Sequence, residues 1–150
     1  MTSWHQFLAP EGAASLTSAK LADGFAASLS DLGVISVTGD DAASFLHSQL
    51  TNDVEHLTPA EARLAGYCSP KGRLMATFLT WRNAEPVFLQ LPRELQPALQ
   101  KRLSMFVLRA KAKLADATPE ATIGLGGARA VPVLEGLFGT LPPSPNSKID

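Results

Sequence analysis

The chain has 150 residues, 45% apolar and 18% charged, with a formal net charge of −1. That length supports one ordinary globular core, and the composition is neither disordered nor fibrous. No run approaches the roughly 20 apolar residues of a membrane helix. Residues 1–10 lack the basic-then-apolar order of a secretory signal, and the single cysteine, Cys68, excludes an internal disulfide framework or a CxxC metal site. A reducing cytoplasm is the expected location.

Residues 1–20, rich in Ala, Ser and Thr, read as an irregular lead-in. Leu32 to Thr38 (LGVISVT) is a β-branched run expected to form a buried strand, broken by Gly39 and Asp40. Asp40 or Asp41 is placed to cap a helix carrying Ala42, Phe45, Leu46 and Gln49. The helix should stop at Leu50-Thr51-Asn52-Asp53, where polar side chains compete for the backbone.

A strand ending at Cys68 is expected after Pro59, followed by a tight Ser69-Pro70-Lys71-Gly72 turn. Arg73 to Arg82 and Pro86 to Leu91 are the next two strands, giving an antiparallel meander. A helix should begin between Pro92 and Pro97, with Leu95, Leu99, Leu103 and Phe106 on one stripe. Lys111 to Ala115 and Ala121 to Leu125 are further strands, and Gly126-Gly127 precedes a last helix carrying Val131, Val133, Leu134, Leu137 and Phe138. From Leu141 onward the composition is that of a linker. The expected class is α+β, with helices packed on a largely antiparallel sheet.

Charge is unevenly placed. Through residue 60 the only Lys or Arg is Lys20, against seven acidic residues. From Arg63 to Lys113, ten cations face only Glu85 and Glu94. Such a distribution either steers an anionic ligand or simply lies on solvated faces. His5, His47 and His56 have no zinc-like spacing, and no nucleophile elbow, P-loop or dinucleotide fingerprint follows a strand. No metal and no catalytic side chain is assigned. Cys68 reads as a small hydrophobe unless Lys71 stabilises its thiolate.

Two segments are specific in combination: Gly39-Asp40-Asp41-Ala42 through Phe45-Leu46 to Gln49-Leu50-Thr51-Asn52-Asp53-Val54, and Gly66-Tyr67-Cys68-Ser69-Pro70-Lys71-Gly72-Arg73-Leu74. Here the chain resembles the folate-binding family that includes the glycine-cleavage T-protein and YgfZ, and is similar to the YgfZ branch in particular. Leu103 to Lys113 and Gly127 to Leu137 extend the resemblance over most of residues 30–140.

The resemblance implies a tetrahydrofolate cofactor in an opening shared by several domains. Asn52 and Asp53 would hydrogen-bond the ligand or fix the helix exit. Tyr67 would pack against a ring, and Lys71 and Arg73 would attract its carboxylates. The T-protein strand after the glycine turn carries an acidic pair; aligned on Gly72, this chain has Ala76 and Thr77, which disfavours aminomethyl transfer. The implied role is that of an accessory protein for iron–sulfur proteins or their assembly machinery and, indirectly, for tRNA modification. The alternatives are a tetrahydrofolate-dependent aminomethyltransferase and an RNA-binding module using Lys101 to Lys113; the latter lacks an accompanying aromatic motif. The YgfZ cysteine motif, K-G-C-x-[T/S]-G-Q-E, is not found in the chain. The expected organisation is therefore a lead-in at 1–20, a folate-type amino-terminal domain at 21–140, and a linker at 141–150 leading to a missing carboxy-terminal portion.

Overall fold

The computed structural model describes residues 17–119 and 121–149. Most of the expected lead-in lies outside the described residues, but its end is helical: α1 spans Ser18–Asp23, with the Thr17 hydroxyl accepting the Lys20 N–H at 3.3 Å. The chain divides into two compact units, Met1–Ser30 with Glu120–Pro143, and Asp31–Pro119 with Ser144–Asp150.

In the first unit, β1 (Phe25–Ser28) pairs antiparallel with β7 (Ile123–Gly126), and α4 spans Ala130–Phe138. The expected last helix forms, but Val131, Val133, Leu137 and Phe138 on it remain exposed.

The second unit contains β2 (Leu32–Thr38), α2 (Ala42–Gln49), β3 (Ala62–Cys68), β4 (Leu74–Arg82), β5 (Val87–Pro92), α3 (Gln96–Ser104) and β6 (Lys113–Asp116). Its five strands form one antiparallel sheet in the order β3-β4-β5-β2-β6, which contains the expected meander. Strand alternation sends Ile35, Val37, Ala65, Tyr67, Ala76, Phe78, Val87 and Leu89 into one core. Phe45 and Leu46 of α2, with Leu99 and Leu103 of α3, join them there. The hydrophobic effect on these spaced apolar residues is what docks the two short helices.

Two expectations need correction. Asp41 occupies the N-cap position of α2 but makes no side-chain cap bond. Its carboxylate instead accepts the Lys111 backbone N–H at 2.7 Å, while its own N–H donates to the Lys111 carbonyl at 3.2 Å. A long-range partner has displaced the local one. The apolar stripe of α3 also stops short of Phe106, because the helix ends at Ser104 and the following turn leaves that ring 46% exposed.

Candidate functional site

The outer edge of β3 organises the residues singled out from the sequence. After α2 ends, the chain runs antiparallel beside β3: Leu50 bridges Tyr67, and the Thr51 N–H donates to the Gly66 carbonyl at 2.9 Å. The Thr51 hydroxyl accepts the Gly66 N–H at 2.8 Å, and Asn52 Nδ2 donates to the Leu64 carbonyl at 2.8 Å. Asn52 also accepts the Asp53 N–H at 2.8 Å. Its amide is therefore engaged in holding the helix exit against the sheet.

Asp53 is the centre of a charged cluster. Its carboxylate lies 3.2 Å from His47 Nδ1 and 2.9 Å from His56 Nδ1, and it accepts the His56 backbone N–H at 3.1 Å. Arg63 of β3 donates to the Asp53 carbonyl at 2.9 Å and to Glu61 Oε1 at 2.8 Å. The His56 N–H is the largest cause holding the Asp53 carboxyl below its ordinary range; desolvation opposes it, and the bond to the His56 ring and then the fields of His56 and His47 add to the lowering. Glu61 is lowered in the same way, chiefly by the Thr58 N–H and then by Arg63. His47, His56, Glu61 and Arg63 were not singled out as site residues, because their spacing matches no motif; only the fold gathers them around Asp53.

Tyr67 faces the core and is 4% exposed. Its hydroxyl accepts from Arg102 Nε at 3.0 Å, and the guanidinium carbon lies 5.9 Å from the ring centroid. The Tyr67 ring thus packs against protein rather than on an open surface.

The turn between β3 and β4 forms as expected. Gly72 donates to the Ser69 carbonyl at 2.8 Å and takes φ of 74°, a left-handed conformation that suits glycine. The Ser69 N–H donates to the Arg73 carbonyl at 2.8 Å. Lys71 and Arg73 are exposed on this turn, and neither side chain makes an ion pair among the described residues. The structure therefore brings Asn52 and Asp53 together, but gives Tyr67 an inward orientation and leaves the two cations on a separate hairpin tip.

Ala76 and Thr77 point to opposite faces of β4. Ala76 is 6% exposed in the core, whereas Thr77 is exposed on the other face. On the face shared with Thr77, Trp81 and Phe88 stack with centroids 5.4 Å apart and planes inclined by 21°. Cys68 is a half-buried free thiol. The described residues contain no group of three or more His, Cys, Asp or Glu arranged to hold a metal ion. They also contain no helix long and apolar enough to cross a membrane.

The fold is that of the glycine-cleavage T-protein class. A crystal structure of glycine cleavage system aminomethyltransferase T from Bartonella henselae matches with a TM-score of 0.70 at 20% identity, covering 77% of this chain and 32% of that one. The sequence relationship is more particular. Over 114 residues the chain is 31% identical to the tRNA-modifying protein YgfZ of Edwardsiella ictaluri (strain 93-146), across 76% of this chain and 34% of the relative. Over that stretch the chain is a YgfZ homologue, and it spans about a third of that relative's length. No protein-family model matches the chain.

Proposed function

We propose that this chain serves in a tetrahydrofolate-binding accessory protein of the YgfZ kind. It would act in the cytoplasm to support iron–sulfur cluster assembly or repair and, through iron–sulfur enzymes, tRNA modification. The observation that carries the reading is the 31% identity with the tRNA-modifying protein YgfZ over 114 residues.

The local geometry supports binding without aminomethyl transfer by this chain. Ala76 is enclosed in the core and Thr77 carries no carboxylate, so neither supplies a base or balances a developing cation. Lys71 and Arg73 stand exposed on the hairpin tip, as cations that meet a ligand's glutamate carboxylates would. Asn52, Asp53 and Tyr67 serve such a site through the framework: the first two hold the α2 exit on β3, and Tyr67 pairs with Leu50 at that exit.

Calorimetric titration of tetrahydrofolate into this chain, with a full-length YgfZ in parallel, tests the reading. Saturable binding that weakens about tenfold when Lys71 and Arg73 are both changed to Gln is expected. Binding by the full-length protein alone would mean that the cavity needs further domains and that this chain contributes a scaffold half. Binding by neither would overturn the folate reading.

A further inference from the structure

Beside α3 lies a groove of about 410 Å³ lined by Met75, Leu95, Ala98, Leu99, Lys101, Arg102 and Met105. Its walls are mainly apolar, its two charged residues are both cations, and no carboxylate lines it. The volume falls within the range of small-molecule sites, about 300–1,000 Å³.

Arg102 is the decisive residue. Its Nε is committed to the Tyr67 hydroxyl at 3.0 Å, and its guanidinium carbon sits 5.9 Å from that buried ring's centroid. This fixes the plane of the guanidinium while its terminal nitrogens make no hydrogen bond or ion pair among the described residues. A pre-oriented planar fork with free N–H donors is suited to a carboxylate. Met75 and Met105, 40% and 59% exposed, offer polarizable sulfur surfaces that favour an aromatic ring.

We infer that this groove is a binding site for a small aromatic carboxylate, with Arg102 as the anion anchor, Lys101 as the second cation and the two methionines as the ring contacts. The Tyr67 hydroxyl acts through Arg102 as a positioning group. This inference is independent of the folate reading, and failure of tetrahydrofolate to bind leaves it standing.

The test uses 1-naphthoate as the probe, followed by methyl NMR on protein labelled at the methionine methyl groups. The chain has three methionines, so the Met75 and Met105 signals are readily assigned by substitution. Naphthoate is expected to shift both methyls and the Arg102 Nε–H resonance saturably, and neutral 1-naphthalenemethanol to bind at least about tenfold more weakly. Arg102→Gln should weaken naphthoate binding by a similar factor. Because that change also releases Tyr67, Ala98→Glu is the second variant: position 98 is exposed on α3, the substitution suits a helix, and its charge should repel the probe. Unmoved methyls at millimolar naphthoate would overturn the inference. So would equal binding of the neutral analogue, or undiminished binding by folded Ala98→Glu. Displacement of naphthoate by a tighter-binding acidic amphipathic peptide would assign the groove to a protein partner instead.

Discussion

The Asp41 carboxylate accepts the backbone N–H of Lys111 at 2.7 Å, tying the start of α2 to the segment that enters β6. The Asp41 N–H returns a bond to the Lys111 carbonyl at 3.2 Å, so the two residues form a reciprocal clamp. Replacing Asp41 by Ala is expected to cost about 1–2 kcal/mol, since a charged acceptor is lost and a backbone donor is left without it. Urea denaturation measures this directly. Asp41→Asn should recover part of the loss, because an amide oxygen can still accept.

Gly39 sits beside that clamp with φ of 112°, and a Cβ there would collide with the Lys111 carbonyl. Gly39→Ala should therefore cost more than Asp41→Ala, about 2–4 kcal/mol. The midpoint of thermal or urea unfolding checks the ranking of the two variants.

Asp53 and Glu61 both have depressed carboxyl pKa values in the fold. Each contributes stability that is complete above the ordinary carboxylate range, about pH 4, and is lost as pH falls through the lowered folded value. The urea midpoint should therefore decline on acidification below about pH 4. Asp53→Asn should flatten that decline, because the group that takes up a proton preferentially on unfolding is gone.

The two faces of β4 predict opposite responses to restoring acidity. Ala76→Asp places a carboxyl in the core at a position only 6% exposed, and should destabilise by about 2–5 kcal/mol. Thr77→Asp lies on the exposed face and should cost no more than about 1 kcal/mol. Circular dichroism with urea separates them. If Ala76→Asp is as stable as the parent, the orientation of β4 described above is wrong.

Residues following Pro143 cover part of the β3 edge: the Ala62 N–H donates to the Asn146 carbonyl at 2.6 Å, and the Lys148 N–H to the Ala60 carbonyl at 2.9 Å. Truncation after Pro143 should accelerate deuterium exchange at Ala62 by about five- to tenfold, the worth of roughly one hydrogen bond. It should also raise concentration-dependent association through the opened edge.

The strands and helices of the second unit were legible in the chain because their cause is local. The LGVISVT run at 32–38 and the Leu95, Leu99, Leu103 spacing each state which face must be buried. The Pro70–Gly72 turn was legible for the same reason, since φ preferences are properties of the residues themselves. The family was legible in the order of two short motifs, and the 31% identity with YgfZ bears that out.

The candidate site was legible only in part. Asn52 and Asp53 stood out, but their actual partners, Leu64, His47, His56 and Arg63, come from other elements. Phe106 was placed on a helical stripe because periodicity carries no signal for where a helix stops.

By itself the sequence determined the class of fold, the meander and the turn, which follow from local backbone preference and the spacing of apolar residues, and the kinship, which rests on the resemblance of two motifs. Only the tertiary structure decided that Tyr67 turns inward to hold Arg102, that Asp41 clamps Lys111, and that Asp53 collects two imidazoles. Those pairings depend on strand register and on side chains competing for partners far away in the chain, and no local pattern encodes the winner.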